Sequence, residues 1–479
     1  MRRFLLTLVC CVSVSATAYG EDGPRTKAGT VPMVFGHGGQ IKMLYDRRQR
    51  PQSVYLHDKV HIVFNAGAEA GASSKAETMP MAVTYDPRTR TFSDVVTLGR
   101  SSSDHHKGPV IWVDEDDHLH VLYGCHRTPG THLVSRQPGT IGRDRNAWEE
   151  APEIAPGISY PTFHWIYDGK QLVYYRTEGH FSSWTYRVTE DNGMTWTGPT
   201  NDVTDMDSKG RLEWSSYHTT LPGSDGRSLH VAFISYDDVK SNDAERLFNP
   251  RYDQPVPNEW KYNLYYVRID LETHAVTNFD GELMETPIDI DQADARCRIW
   301  DTRWRGAGVP PTIALDENGD PAFLHVLSED TLTEHRYYYV RREDGKWKQT
   351  PITHSNHQWN SCHLTRDEDG TLHAYLVVGD GYIDSDGYMD RYGGGSIEEW
   401  TSSDKGNTWK RKRDLTPDTS KYPGWKFNNI QPVVRPDGRS VDGMLLFYGW
   451  EDKDAPEARA FLLHERTEFK PIQEGHPHE

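Results

Sequence analysis

A turn followed by a short apolar strand recurs along this chain, and this repeat restricts the possible folds more than any other feature. Each copy starts at an Asp or Asn and runs into a strand such as Leu119–Tyr123 or Leu172–Tyr175. The seven turns lie at Asp58, Asp117, Asp168, Asp225, Asn318, Asp369 and Asp437. Most copies are 50 to 60 residues apart, which is typical of a β-propeller with one blade per repeat. The sequence therefore predicts an all-β fold, a seven-bladed β-propeller.

Two further segments, Thr189–Trp196 and Ser402–Trp409, match the Asp-box pattern Ser/Thr-x-Asp-x-Gly-x-Thr-Trp. In such a hairpin the Asp and Thr side chains bond the turn backbone, and Gly takes the conformation with positive φ. The motif indicates a propeller-type hairpin and does not identify a function.

Composition and spacing predict one domain after a targeting segment. Tyr, Trp, Gly, Asp and Thr are abundant, which favours many short strands. We expect one propeller over residues 21–479, with an insertion at about 237–304 where two copies of the repeat are furthest apart. Long loops on a rigid scaffold commonly shape a binding face.

The first residues predict a signal peptide. Arg2 and Arg3 precede the apolar run Phe4–Ala16, and small residues follow up to Ala18. The run is too short to span a bilayer, and no other long apolar stretch occurs. We therefore expect cleavage near residue 20 and a monomer without a membrane span, secreted to the cell exterior or the periplasm.

The net charge of −18 argues against a nucleic-acid-binding protein, which would present a basic face. It does not exclude an anionic substrate, because a local cluster of Arg and His can oppose the overall charge.

Two histidines stand at the open end of one predicted hairpin. His106 precedes the strand Val110–Val113, and His126 follows the strand Leu119–Tyr123. Antiparallel strands joined by a short turn bring their free ends together, so the two imidazoles should be neighbours. A single histidine at a strand end is usually an ordinary polar residue. A matched pair is a candidate functional site.

The next repeats add residues suited to one reaction. Tyr160 and Tyr217 precede or begin predicted inner strands, and Arg176 ends one. β-Elimination on a uronic acid requires a cation for the carboxylate, which the guanidinium fork supplies, and groups that move protons, for which His or Tyr is suited. The alternative is that both tyrosines are core aromatics and that Arg176 pairs with Glu178.

Several short motifs together resemble a known enzyme family. They are the Asp-x-His run at 104–106, Gly-x-His at 124–126, Tyr-Pro-x-Phe at 160–163 and Tyr-Arg at 175–176. In this order they resemble the BNR-repeat propeller polysaccharide lyases, above all the ulvan lyases of polysaccharide lyase family 25, with family 24 related. The resemblance implies cleavage of an acidic, sulfated polysaccharide by β-elimination, without a cofactor for the chemistry.

The resemblance also implies roles for single residues. His106 and Tyr160 would be the proton-transfer pair, in either order, and Arg176 would face the uronate carboxylate. His126 and Tyr217 would complete the site. Lys107 stands where family members often have Asn, which leaves a carboxylate or sulfate contact open for it. Arg127, the residue after His126, is a further candidate for substrate binding.

A third group of residues has the ligand types of a metal site. His354, His357, Cys362 and His363 lie close in sequence, with Cys297 as a further donor. Cysteine and histidine are zinc ligands, but this spacing matches no standard zinc motif. The alternative is a buried free cysteine beside surface histidines. The segment 384–387 resembles part of a calcium loop, so a structural Zn²⁺ or Ca²⁺ stays open.

Three functions therefore follow from the sequence, in order of preference. The first is a secreted lyase acting on an anionic polysaccharide. The second is a sialidase-like glycoside hydrolase, which the Asp-boxes favour, although no early Arg-Ile-Pro-like segment is found. The third is a non-catalytic carbohydrate-binding propeller.

Overall fold

The computed structural model describes residues 32–39, 43–66, 78–102, 104–179, 182–205, 214–237, 247–249, 254–256, 260–382, 392–451 and 457–465. The predicted signal peptide, parts of the predicted insertion and the segment 384–387 lie outside these residues. In the described part of the chain, no helix is long and apolar enough to cross a membrane.

The regular secondary structure of the described chain is almost entirely β-strand. The first group is β1 (Met33–Gly39), β2 (Ser53–Leu56), β3 (Lys59–Ala66), β4 (Met79–Asp86), β5 (Thr91–Phe92), β6 (Val96–Thr97), β7 (Val110–Val113), β8 (Leu119–Tyr123), β9 (Thr131–Ser135), β10 (Trp148–Glu150), β11 (Ser159–Trp165), β12 (Gln171–Arg176) and β13 (Trp184–Thr189). The second is β14 (Trp214–Pro222), β15 (Ser228–Asp237), β16 (Leu247–Asn249), β17 (Gln254–Val256), β18 (Lys261–Asp270), β19 (Val276–Thr277), β20 (Arg298–Trp300) and β21 (Gly306–Ala307). The third is β22 (Thr312–Leu315), β23 (Pro321–Ser328), β24 (His335–Glu343), β25 (Lys346–His354), β26 (Cys362–Arg366), β27 (Leu372–Val378), β28 (Ser396–Ser402), β29 (Lys410–Asp414), β30 (Lys426–Val434), β31 (Ser440–Trp450) and β32 (Ala458–His464).

Helical segments in the described residues are short. They are 3-10 turns at His105–Lys107, Arg145–Ala147 and Tyr167–Gly169, and α1 (Ile290–Gln292), which continues into a π turn at Ala293–Cys297. The prediction of an all-β fold is confirmed.

The strands pair mainly with their neighbours in the chain. Four-stranded sheets are formed by β7–β10, by β22–β25 and by β26–β29, and β11–β13 form a three-stranded sheet. A further sheet contains β14, β15, β18 and β19, with β20 and β21 beside β18, while β16 and β17 form a separate ribbon. A nine-stranded sheet joins β2–β6 to β30–β32 and β1. Within it β1 pairs with β32, so hydrogen bonds tie the first described strand to the last.

The first strands of consecutive sheets contact one another in chain order. β2 contacts β7, β7 contacts β11, and the series continues through β14, β22, β26 and β30 back to β2. The core lies between facing sheets, as where Trp112 of β7 stacks on Phe163 of β11 with ring centroids 3.7 Å apart. Two of the predicted blades share the nine-stranded sheet through the single parallel pair Val54 and Val434. The count of seven blades therefore stays a prediction.

The hairpin that carries the two histidines forms as its sequence predicts. Apart from His120, the residues of β7 and β8 are β-branched or apolar, and all of them are buried, as in a strand covered on both faces. Val110 pairs with Leu122 and Val113 with Leu119. The Asp114 carboxylate accepts hydrogen bonds from the backbone N–H groups of residues 116 and 118, which closes the turn. The open end of the hairpin therefore lies at the start of β7.

The two Asp-box segments fold into tight turns. Asp191 accepts hydrogen bonds from the N–H and hydroxyl of Thr195 at 2.8 and 2.6 Å, and Asp404 does the same with Thr408 at 2.9 and 2.7 Å. The first turn follows the end of β13 that pairs with the start of β12. It therefore lies at the opposite end of its sheet from Arg176.

Candidate active site

One carboxylate holds both histidines of the hairpin. Asp104 caps the 3-10 turn at His105–Lys107, accepting from the backbone N–H of His106 at 3.1 Å. Its two oxygens lie 2.5 Å from Nδ1 of His106 and 2.8 Å from Nδ1 of His126. The imidazole centroids are 4.3 Å apart, so the predicted neighbours do meet. Because a carboxylate only accepts, each Nδ1 atom donates its proton to Asp104.

Tyr160 lies next to the two histidines, and its backbone conformation is strained. Its φ of 56° is in the left-handed region, which a bulky non-glycine residue rarely adopts. The strain coincides with a register shift in β11 between Ser159 and Thr162. Such outliers cluster at functional sites. The Tyr160 ring centroid lies 5.4 Å from that of His106, and its hydroxyl is 3.3 Å from the Tyr217 hydroxyl of β14.

Arg176 ends β12 opposite Ser159, and its guanidinium lies beneath the two tyrosines. The Arg176 Cζ atom is 4.7 Å from the Tyr160 ring centroid and 5.2 Å from that of Tyr217. The side chain is fully buried, and its three guanidinium nitrogens have no hydrogen-bond partner in the described part of the chain. The sequence-based alternative, an ion pair with Glu178, is not formed.

A second arginine, which the sequence did not reveal, lies on the same tyrosine ring. Arg48 Cζ is 4.8 Å from the Tyr160 ring centroid and 5.4 Å from that of Tyr217. Asp46 holds Arg48 through hydrogen bonds to Nε at 2.9 Å and Nη2 at 2.5 Å, and both side chains are buried. The carboxylate neutralises Arg48, whereas Arg176 has no such partner among the described residues.

The buried lysine of β18 adds a third cation beside these rings. Lys261 Nζ lies 4.6 Å from the Tyr217 ring centroid, 4.8 Å from that of Tyr236 and 4.7 Å from that of Trp359. Aromatic faces attract cations, and the attraction grows when water is excluded. The site is thus electropositive within an acidic chain.

Burial sets the protonation states of the proton-transfer pair. It lowers the pKa of His106 to about 4, helped by the Arg48 charge and opposed by the Asp104 carboxylate. Burial also raises the pKa of Tyr160 well above its ordinary value, although Arg48 and Arg176 act in the opposite direction. At neutral pH His106 is therefore an unprotonated acceptor and Tyr160 a protonated donor.

The other two predicted substrate contacts lie at the edge of the site. Lys107 belongs to the 3-10 turn, and its carbonyl accepts from Gly124 N–H at 3.0 Å. Arg127 lines a groove of about 490 Å³ that runs along β12 and β13 past Glu178 and Arg187. The side chains of His106 and His126 are about one-fifth exposed, whereas Tyr160, Arg176 and Tyr217 are buried.

The structure does not assemble the predicted zinc ligands. Cys362 and His363 are consecutive in β26, so their side chains point to opposite faces of the sheet. Cys297 lies in the core beside β18, and Cys362 in a separate core between β23 and β26. Nδ1 of His357 accepts from its own loop backbone, Trp359 N–H at 3.1 Å. Cys125, Cys297 and Cys362 are all free, buried thiols.

Within the described residues, three potential metal-ligand atoms lie within 4.8 Å of one another in only two groups, and both contain His106. They are Asp46 with His105 and His106, and Asp104 with His106 and His126. The Asp104 contacts of 2.5 and 2.8 Å are hydrogen-bond distances. Two ligands of one tetrahedral zinc ion lie about 3.4 Å apart. We therefore interpret the Asp104 cluster as a hydrogen-bonded unit.

The chain matches a family model over residues 72–355, more than half of its length, and the model describes a BNR repeat-containing family member. The chain belongs to the BNR repeat-containing family. It is 21% identical over 480 residues to an ulvan lyase of Nonlabens ulvanivorans, covering 92% of both chains. A solved structure of a polysaccharide lyase PL25 ulvan lyase superposes with a TM-score of 0.71 and 17% identity, covering 91% of this chain and 96% of that one. A second, described as bound to -[GlcA(1-4)Rha3S]-, has the same score, 16% identity and the same coverage.

These matches confirm the resemblance that the short motifs predicted. At such identity the superposition shows a shared fold, and the PL25 ulvan lyase fold is the fold of this BNR repeat protein.

Proposed function

We propose that this BNR repeat protein is a polysaccharide lyase that cleaves a uronate-containing, sulfated polysaccharide resembling ulvan by β-elimination. The observation that carries the proposal is the buried, unpartnered Arg176 guanidinium beneath the strained Tyr160. A buried charged donor without an acceptor is destabilising by about 3 kcal/mol or more. A substrate carboxylate supplies the missing acceptor, and the relatives named above as ulvan lyases support that substrate class.

The protonation states assign the two proton-transfer roles. His106 Nε2, an acceptor at neutral pH, takes the C5 proton of the uronate, which the Arg176-bound carboxylate acidifies. The electron pair forms the C4–C5 double bond as the C4–O bond breaks. Tyr160, protonated at neutral pH, donates to the departing oxygen. Return of a proton from the His106 imidazolium to the Tyr160 phenolate then restores both groups; their ring centroids are 5.4 Å apart.

Electrostatics support the substrate class. Arg176 and Lys261 lie at the centre of a chain whose net charge is −18, and a local cationic site can bind an anion against the overall field. Arg127 along the groove is placed to contact a sulfate or carboxylate of a neighbouring sugar.

The proposal includes two further features that the sequence predicts, a seven-bladed propeller and secretion. We propose a seven-bladed propeller in which the nine-stranded sheet supplies two blades and β1 closes the ring; the contacts between successive first strands support this count. The apolar N-terminus supports secretion, which a polysaccharide substrate requires.

The direct test is an ultraviolet absorbance assay for unsaturated uronate with ulvan, heparan-type, chondroitin-type and pectic polymers. We expect absorbance to rise with ulvan, and Arg176→Met to lower kcat/KM by at least 100-fold because the carboxylate loses its cation. Arg341→Met is the matched control, since Arg341 is a mostly buried arginine that pairs with Glu343 away from the site. Reducing-sugar release without any absorbance change would show a hydrolase instead.

The pH dependence of the lyase should report His106. Because burial lowers its pKa to about 4, the imidazole stays an unprotonated base at every pH above that value. We expect kcat/KM to fall only as the pH drops through about 4, in short assays on protein shown to be folded by circular dichroism. An acid limb near pH 6.5, the ordinary value for histidine, would contradict this assignment.

A further inference from the structure

Two arginines near the base of the site have no counter-charge in the described part of the chain. Arg47 and Arg50 flank the segment that carries Arg48, yet Asp46 bonds Arg48 alone. The ion pairs among the described residues include neither Arg47 nor Arg50. Arg47 is buried, with only 5% of its surface exposed, and Arg50 is partly buried.

The hydrogen bonds of Arg47 leave one of its guanidinium nitrogens without an acceptor in the described part of the chain. Arg47 Nη2 donates to the Pro310 carbonyl at 3.2 Å, while its Nη1 is buried without a partner among the described residues. Arg50 Nε donates to the Arg47 carbonyl at 3.0 Å, which places the two side chains on adjoining backbone. Burial and the Arg47 charge together lower the pKa of Arg50 to about 10, as expected for like charges close together.

The groups around the arginine pair are neutral. His325 is fully buried with both ring nitrogens unpartnered in the described structure, and burial beside Arg47 lowers its pKa to about 3. His363 is held neutral in the same way by burial, Arg50 and Arg47. The Cys362 thiol is kept protonated by burial. Titration of these neighbours therefore supplies no negative charge.

We propose that a small inorganic monoanion such as chloride binds between Arg47 and Arg50 and neutralises this pair. A buried guanidinium beside a like charge and without a counter-ion is destabilising, whereas an anion gains a charge-assisted hydrogen bond from the unused Nη1 donor of Arg47. The site lies beneath the β11 segment that carries Tyr160, since Arg50 N–H bonds the Pro161 carbonyl. It is distinct from the substrate site and does not depend on the proposed lyase activity.

Chloride-dependent stability tests this proposal. We expect the Tm of the full chain to rise by about 3 °C and to saturate when sodium gluconate is replaced by sodium chloride at constant ionic strength. Arg47→Met should abolish the saturable rise. Arg439→Met, at an arginine whose side chain is 79% exposed, should keep it. An unsaturable or unchanged chloride response in the wild-type protein would overturn the proposal.

Bromide gives a second readout that does not need a variant to fold. In crystals of wild-type protein soaked in sodium bromide, we expect an anomalous peak within hydrogen-bond distance of both guanidinium groups. Bromide peaks only on the molecular surface would indicate an adventitious ion only and would overturn the proposal.

Discussion

Replacing Tyr160 with phenylalanine should lower kcat on ulvan by about 10³-fold while KM changes less than threefold. The phenol lies beside both His106 and Arg176 and is protonated at neutral pH, so its loss removes the proposed proton donor to the departing oxygen. Phenylalanine keeps the ring that packs between the two guanidinium groups. The measurement is steady-state formation of unsaturated uronate, with Tm recorded for each variant.

Tyr174→Phe is the matched control. Tyr174 is a similarly buried tyrosine of the adjoining strand β12, and its hydroxyl lies 2.8 Å from Nδ1 of His218. This variant should lose stability through the broken hydrogen bond and keep kcat within a factor of about two. Equal kcat values for Tyr160→Phe and the wild type would remove Tyr160 from the reaction.

The parts of the site that the sequence predicted are those fixed by local pairing. His106 and His126 meet because a short turn brings the free ends of β7 and β8 together. Tyr160 and Arg176 meet because consecutive strands β11 and β12 pair antiparallel, with Ser159 opposite Arg176. In both cases strand periodicity and turn residues determine the register.

The parts that the sequence did not predict depend on contacts between distant segments. Arg48 lies before β2, outside the repeat, and reaches Tyr160 because its segment bonds to β11 through the bridge between Arg50 and Thr162. The predicted zinc ligands do not come together, and part of the reason is local. Cys362 and His363 are consecutive in a strand, so their side chains point to opposite faces of the sheet. Burial of Arg176 also depends on a neighbouring sheet, since Tyr217 of β14 packs against its guanidinium.

Asp104 is a site residue that the sequence analysis did not predict, although the spacing Asp-x-His indicates it. An aspartate two residues before a histidine at the start of a 3-10 turn is placed to cap that turn and to bond the imidazole. The second bond, to His126, depends on the hairpin.

Asp104→Asn should lower kcat by about 100-fold with little change in KM, because Asp104 positions both imidazoles without touching the substrate. Aspartate uses one oxygen for each Nδ1 proton of His106 and His126. Asparagine replaces one of these two oxygens with an NH2 donor, so one of the two hydrogen bonds is lost. One ring must then change tautomer or rotate, and the proton acceptor at Nε2 of His106 is no longer fixed. The Asp104 carboxylate raises the pKa of His106. Its loss should therefore lower that pKa and move the acid limb of kcat/KM to lower pH.

The pH profile separates this positioning role from a purely structural one. Asp114→Asn makes the same change at a buried Asp–His pair in the same hairpin, where Asp114 lies 3.0 Å from Nε2 of His120 at the turn. That variant should lower Tm but leave both kcat and the acid limb unchanged, since the pair lies at the far end of β7 and β8. Asp104→Asn with wild-type kcat, or with the same acid limb as Asp114→Asn, would show that His106 needs no carboxylate to act as the base.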